Sequence, residues 1–456
     1  MTKIVIIGGV AAGTKCAAKS RRLLPDAEID IYTEDTHVSY SACGLPYYIE
    51  GNFENYKMLL VRTPEEFAKD KIYVHLRHKV SKILPESKKI LVENLDNKDA
   101  ALIDYDKLVI ATGARPRVPY IKNSTLKNIF TLRTIEDGIK IKEKLSTSRQ
   151  AVIIGSGYIG VEMLEAFVKQ NLHVAVIEQA PHFMPAFDSD MSDLILEQLN
   201  SISSGRFQII TNTVVTEFSG DEDGVHSVKL SNGTEIEADI VLISAGVIPN
   251  VELAKDCGLT IGQTGAIFVN KDMCTSNANI FACGDCAEKT SLIDGTKIWI
   301  PLGSTANKEG RIAAINLCGG EEYFDGVLGS TVTRCLGFTA SMSGFTERKA
   351  MLNGFTPISA TVTKNDKVGY MPDVNNITLK IVADAKSGRL LGGQAIGSGD
   401  ADKRINALTG ALLAKLTVNE FVRNDLTYAP PFSTTIDPLL NAAEILKEKL
   451  QNSNTL

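Results

Sequence analysis

The chain has 456 residues, enough for about three domains. Hydrophobic content of 44%, charged content of 22% and a net charge of -6 describe an acidic globular protein and exclude a broad basic surface for nucleic acid. No apolar run reaches the roughly 18 residues of a spanning helix, no signal peptide is expected, and eight scattered cysteines make no disulfide framework, so a cytoplasmic protein without membrane contact is expected.

In chain order, "KIVIIGGVAAG" reads as a buried strand, a glycine turn and a helix to about residue 24, with "AEIDIYTED" as the next strand. "DKLVIATGARP" is a strand ending in a glycine turn. The opening pattern returns about 150 residues on as "QAVIIGSGYIG", a helix over 158–170 and the strand "HVAVIEQ", which makes an internal duplication of nucleotide-binding type. "ADIVLISAGVIPN" ends the second unit, and "TSNANIFACGDCAE" is a strand running into Gly284 and Asp285. "IPLGSTANKEGRIAAINLCGG" is a loop feeding a helix, preceded by Asn307 and Lys308. After about Gly326 the composition shifts: "ITLKIVADAKSGRLLGGQAIG" alternates about a Ser-Gly turn as a hairpin, helices follow over 402–416 and 438–450, and the tail "QNSNTL" should fray.

A G-x-G-x-x-G turn lets backbone N–H groups approach a pyrophosphate at a helix N-terminus. The second copy is complete, with Gly155, Gly157, Tyr158, Ile159 and Gly160. Glu178 ends its second strand about 20 residues on, where a carboxylate accepts from a ribose 2′-hydroxyl and repels a 2′-phosphate, so NADH is expected rather than NADPH. The first copy runs Gly8, Gly9, Val10, Ala11, Ala12, Gly13, with Glu34 as the carboxylate near the end of its second strand. Ala111, Thr112 and Gly113, together with Gly284 and Asp285, match the closure of a flavin domain over FAD.

Cys43 lies in "SYSACGLPYYIEG". Tyr48 stands five positions later, so no second cysteine can close a dithiol there, and a lone sulfur turns over only with a small-molecule partner. Its thiolate requires a lowered pKa, for which a helix N-terminus and an oxidised flavin are the available sources. Cys283 and Cys286 form a C-x-x-C, but Gly284 and Asp285 between them are claimed by the flavin, so no dithiol and no metal site is expected. Cys16 reads as core; Cys257, Cys274, Cys318 and Cys335 have no partnering pattern. His75 and His78 read as surface residues. Lys15, Lys19 and Arg22 share one face of the first helix, a basic patch suited to an anionic small molecule.

Taken together, "GGVAAG", "SYSACGLPYYI", "ATGARP", "GSGYIGVE", "GVIPN", "FACGDCAE", "PLGSTANKEGR" and "LTYAPPFSTTIDPLLNAA" resemble the pyridine nucleotide–disulfide oxidoreductases with a single active-site cysteine. That group holds coenzyme A disulfide reductases, NADH oxidases, NADH peroxidases and NADH-dependent persulfide reductases, and the first of these is the nearest likeness. The resemblance implies an α/β fold of two Rossmann-like nucleotide-binding domains, glutathione-reductase-like, plus an α+β C-terminal dimerisation domain. It implies FAD-binding segments 1–112 and 246–325, an NAD(P)H-binding domain 113–245, a dimerisation domain 326–456 and a homodimer. It adds Ser39, Cys43, Val80, Arg133, Pro301, Ala306 and Asn307 to the FAD residues, Gly246 to the NAD residues, and Ser39 and Lys71 to a coenzyme A site. It also implies that Tyr370 and Tyr428 reach across the dimer to the other subunit's cysteine as proton donors, and that Tyr158 covers the flavin until nicotinamide displaces it.

Val10 stands where peroxidases and oxidases usually carry a histidine and cannot hydrogen-bond a sulfenate, which favours a disulfide, persulfide or coenzyme A substrate. Three positions depart from the reductase pattern: Ala42 in place of an asparagine, Ile436 in place of a lysine, and Thr33 in place of the flavin-ribose acid. An NADH oxidase that reduces dioxygen is the alternative enzyme, and a flavin-bearing redox sensor with little turnover is the alternative of another class.

Overall fold

The computed structural model describes residues 1–202 and 205–453. Its first parallel sheet runs in the order Ile280–Ala282, Lys107–Ile110, Lys3–Ile7, Glu28–Tyr32, Ile72–His75. Ile4, Val5, Ile6, Leu108, Val109 and Ile110 are fully buried, because both sheet faces are covered and a period-2 pattern has no solvent face to mark. The helices Ala11–Leu23 and Gly303–Leu317 share this core with an antiparallel meander of His78–Leu84, Lys89–Asn94 and Ala100–Asp104.

The second parallel sheet repeats the plan in the order Phe207–Ile210, His173–Ile177, Gln150–Ile154, Ile240–Ile243, Ile129–Phe130, with the helix Tyr158–Lys169 following its central strand. Between the two sheets the strand Ala114–Pro116 pairs antiparallel with Val247–Pro249. Thr112 and Asn250 tie that ribbon to the first sheet: Thr112 Oγ1 donates to Asn250 O and Asn250 Nδ2 returns a bond to Thr112 O, both at 2.8 Å.

The C-terminal sheet is antiparallel, in the order Thr331–Cys335, Phe338–Gly344, Leu390–Gly397, Asn376–Asp384, Pro357–Asn365. The expected hairpin is its centre, turning at Ser387 and at Gly388 with φ 69°. The helix expected over 402–416 spans Ala401–Leu413 instead, because Lys415 takes φ 57° and breaks the repeat. The last helix is longer than expected, Pro438–Ser453; of the tail expected to fray, residues 454–456 lie outside the described residues. His75 and His78 are half-buried rather than on the surface. His75 Nε2 lies 2.7 Å from Asp30 Oδ1 and its ring stacks on Tyr32 with centroids 4.4 Å apart.

A buried lysine joins the C-terminal sheet to the second unit. Lys380, 2% exposed, sits 3.2 Å from Asp188, 2.7 Å from Asp190 and 2.6 Å from Glu347, and Gln394 Nε2 donates to Asp188 at 2.6 Å. Removing one partner of a buried ion cluster strands the others without water. Lys380→Met is expected to destabilise the protein by about 3–5 kcal/mol in urea unfolding, because Asp188 stays buried without its cation; a loss under about 1 kcal/mol would show that water already reaches the cluster.

Candidate redox site

The first glycine loop is built by backbone contact. Gly8 has φ 110°, and a Cβ there would come within 2.2 Å of Ala111 O; one on Gly13 would come within 2.0 Å of Gly8 O. No side chain fits at either position; Gly8 N–H donates to Tyr32 O at 2.8 Å, which leaves the N–H groups that follow it in the turn to line a pyrophosphate. Ala11, half-buried, and Ala12, buried, open the helix behind it. Ser39 N–H donates to Gly9 O at 2.7 Å, and Val80 is buried in the adjoining meander. The acid register differs from the expectation. The residue facing the loop from the end of the second strand is Thr33, whose Cγ2 lies 3.2 Å from where a Cβ on Gly9 would be. Glu34 points outward, 3.8 Å from Lys79 Nζ and 62% exposed. Burial, with the Glu34 charge next, pushes the neighbouring Asp35 carboxyl up to about 6.

The opposite wall is the turn at Gly284, φ 83°. Gly284 N–H donates to Glu309 Oε2 at 2.7 Å, and Lys289 Nζ donates to Gly284 O at 2.9 Å while lying 3.4 Å from Glu309 Oε1. Both side chains are almost fully buried, and burial pushes the Glu309 carboxyl up to about 7 against the pull of Lys289. Asp285 is fixed twice: Arg133 Nη2 pairs with its Oδ2 at 2.9 Å, and Trp299 Nε1 donates to its carbonyl at 2.7 Å. Gly113 completes the wall at φ 67°; a Cβ there would lie 3.2 Å from the Arg133 guanidinium. Pro301 is half-buried just before the helix Gly303–Leu317, and Ala306 is buried within it. Asn307 and Lys308 do not precede this helix. They lie exposed in its second turn, and Asn307 Nδ2 donates back to Gly303 O at 3.1 Å. The helix N-terminus that faces the site is therefore Gly303, not Asn307. A glycine loop closed by backbone at Gly8 and Gly13, positive-φ turns at Gly113 and Gly284, a paired aspartate and the N-terminus of a 15-residue helix fit a flavin dinucleotide.

The second glycine loop repeats the geometry. A Cβ on Gly155 would come within 2.6 Å of Ser244 O and one on Gly160 within 2.1 Å of Gly155 O, whereas Gly157 faces open space. Gly157 is thus where a ligand backbone can approach. Ile159 is half-buried behind it, and Gly246, φ 96°, lies exposed at the end of the neighbouring strand. Glu178 is turned inward, 5% exposed. It accepts from Ser156 N–H and Ser156 Oγ, each at 2.8 Å, and from Ala180 N–H at 2.8 Å. The Tyr158 hydroxyl lies 2.5 Å from Thr331 Oγ1 of the C-terminal sheet.

Cys43 lies close to the Gly303 end of the helix Gly303–Leu317. It occupies a 3-10 turn, Ala42–Gly44, that leads into the six-residue helix Leu45–Glu50, with Pro46 in its first turn. It is exposed, while the other seven cysteines are buried or half-buried. A Cβ on Gly303 would lie 3.9 Å from its sulfur, which places Cys43 at the N-terminus of the long helix. Although the residue is exposed, atoms packed around its sulfur desolvate it; that first, then the Glu162 charge, pushes the Cys43 thiol above its ordinary value, with Arg133 opposing. Glu162 sits one turn after Tyr158 and accepts from Thr333 Oγ1 at 3.3 Å; burial pushes its carboxyl up to about 7. Cys283 and Cys286 are fully buried with both thiols pushed up, which removes them from thiolate chemistry, and no metal-holding group of His, Cys, Asp or Glu occurs among the described residues.

Lys15 and Lys19 are half-buried and Arg22 and Lys71 exposed, and none of the four is in an ion pair among the described contacts. Their neighbour Arg21, basic like them but off the shared face, donates its guanidinium to the Lys71 and Pro25 carbonyls and so draws the Lys71 loop, φ 54°, onto the end of the first helix. Tyr370 and Tyr428 are 76% and 47% exposed, with Phe432 and Ile436 exposed beside Tyr428 in sequence. Within one chain the structure brings neither tyrosine to Cys43. Two cavities of about 370 and 310 Å³ open on the same C-terminal sheet, lined by residues such as Asn365 and Thr378, and neither reaches Cys43.

Comparison with known proteins matches this architecture. The pyridine nucleotide-disulphide oxidoreductase family matches residues 2–310, and its dimerisation domain matches residues 335–439. A CoA-dependent NAD(P)H sulfur oxidoreductase of Pyrococcus abyssi is 37% identical over 97% of this chain and 98% of its own. An NADH oxidase of Methanocaldococcus jannaschii is 32% identical over 99% of this chain and 100% of its own. The solved NAD-dependent persulfide reductase from A. fulgidus superposes with a TM-score of 0.96 at 35% identity, covering 99% of this chain and 84% of that one. The chain thus belongs to the FAD-dependent pyridine nucleotide-disulphide oxidoreductases and carries their dimerisation domain.

Proposed function

We propose that the protein is a cytoplasmic homodimer that moves electrons from NADH through FAD to Cys43, which reduces coenzyme A disulfide or a related per- or polysulfide. One observation carries the reading: the only exposed cysteine lies beside the N-terminus of the helix that borders the flavin walls. FAD, when bound, supplies a two-electron carrier between nicotinamide and sulfur. The chain's own residues do the rest. The second glycine loop holds the NADH pyrophosphate, and the Glu178 carboxylate disfavours a 2′-phosphate. The Cys43 thiolate attacks one sulfur of RSSR, forming a mixed disulfide and releasing one thiol. Two electrons then cleave that bond, releasing the second thiol and restoring the thiolate, so that NADH + H⁺ + RSSR gives NAD⁺ + 2 RSH.

Bound flavin, and Tyr370 and Tyr428 donated by a second subunit from their exposed positions, are the groups proposed to stabilise the thiolate. Lys15, Lys19, Arg22 and Lys71 are the cations proposed for the phosphates of coenzyme A, and Ser39 is proposed as a further contact. Relatives of similar full length support a sulfur-compound substrate, and no helix among the described residues is long and apolar enough to cross a membrane. The NADH oxidase relative keeps dioxygen as the second reading; Val10, an alkyl side chain opening the first loop, argues against a stabilised sulfenate there.

Under anaerobic conditions, Cys43→Ser is expected to lower NADH-dependent reduction of coenzyme A disulfide by at least about a thousandfold, as loss of a nucleophile does. Undiminished turnover would refute the role of Cys43, and an absolute need for oxygen in the wild type would select the oxidase reading. The Glu162 charge makes a second, pH-dependent expectation. Above about pH 7 Glu162 is ionised and disfavours the thiolate, so Glu162→Gln should move the pH midpoint of Cys43 alkylation by iodoacetamide downward. An unmoved or raised midpoint would mean the carboxylate does not act on the sulfur.

A further inference from the structure

Thr331–Cys335 is the edge strand of the C-terminal sheet, and it lies along the helix Tyr158–Lys169 of the second unit. Tyr158, Glu162, Glu165 and Lys169 recur at helical spacing on one face. The strand meets them in order: Thr331 at Tyr158, Thr333 at Glu162, and Arg334, whose Nε donates to Glu165 Oε2 at 3.2 Å.

Arg334 also reaches the first unit. Its Nη2 donates to both oxygens of Glu50, at 3.0 and 2.9 Å, and its guanidinium stands 5.4 Å over the ring of Tyr47. Tyr47 and Glu50 belong to the short helix that starts two residues after Cys43. Glu50 and Glu165 are each 3% exposed, and Lys169 Nζ bridges them at 2.6 and 2.8 Å. Two buried carboxylates from different units therefore face each other and are held together by two cations. Like charges out of water repel strongly unless neutralised. Lys169 shares its helix with Glu165, so Arg334 is the cation contributed by a third unit, and its guanidinium reaches both carboxylates with different nitrogens, Nη2 to Glu50 and Nε to Glu165.

We propose that Arg334 is a positioning residue for the sulfur half of the reaction: it clamps the helix that follows Cys43 against the helix that opens the second glycine loop. The inference rests on the reading of Cys43 given above. Sulfur exchange demands alignment of three sulfurs, and a misplacement of about 1 Å can cost about a hundredfold.

The test uses the flavin-loaded enzyme in anaerobic stopped flow, reading first the bleaching of flavin by NADH and then the return of its absorbance on mixing with coenzyme A disulfide. For Arg334→Met the second rate should fall about tenfold more than the first. Arg334→Lys should fall between the variant and wild type. Glu50→Gln combined with Arg334→Met should recover most of the loss, since Lys169 alone then satisfies Glu165. Equal loss in both rates, no loss in the second, or no recovery in the double variant would overturn the clamp. If wild type itself is not reoxidised by coenzyme A disulfide, the acceptor is wrong rather than the clamp. The iodoacetamide reaction of Cys43 then decides: a rate changed by Arg334→Met and restored in the double variant supports the clamp, and an unchanged rate overturns it.

Discussion

The close approach of two helices, Ala11–Leu23 and Gly303–Leu317, sets where everything else in the site stands. A Cβ on Gly310 would come within 2.3 Å of Ala12 O, so the two backbones touch where only glycine allows it. That contact carries Glu309 under the Gly284 turn, where it receives the Gly284 N–H and faces Lys289. It also carries the Gly303 end of the second helix up to Cys43. The flavin wall and the sulfur are therefore positioned by one packing event, and the buried Lys289–Glu309 pair keeps the polar groups of the turn satisfied once water is gone.

The electrostatics divide along the same line. On the flavin side charges are matched: Arg133 with Asp285, Lys289 with Glu309. On the sulfur side they are not, since burial and Glu162 both work against the thiolate. The carboxylates near it are managed by cations borrowed from elsewhere, Lys169 from the adjoining helix and Arg334 from the C-terminal sheet.

How much of this was legible in the sequence follows from how local each feature is. The glycine spacings, the central strands and the lone Cys43 are properties of short stretches, so a short window of sequence holds each of them. The flavin-ribose register was ambiguous because the strand ends at Tyr32 and each successive residue turns to the opposite side, which leaves Thr33 over the loop and Glu34 in solvent. The helix that starts at Gly303 was read as starting only after Lys308, because its N-cap Leu302 offers no side-chain oxygen to mark the end. Glu178 could be placed by spacing, but its inward turn onto Ser156 and Ala180 could not. The Arg334–Glu50 contact joins positions 284 residues apart and three units at once, so no window of sequence contains it. The half-buried His75 belongs to the same class, since its partner Asp30 comes from a neighbouring strand.

The central claim is that one sulfur exchanges covalent partners with a small thiol. Intact and peptide mass spectrometry after exposure to one equivalent of coenzyme A disulfide tests it most directly. The account predicts one coenzyme A per chain, located on Cys43 and removed when NADH is added without oxygen. An adduct on the half-buried Cys257, Cys274 or Cys318, or one on Cys43 that survives NADH, would contradict it.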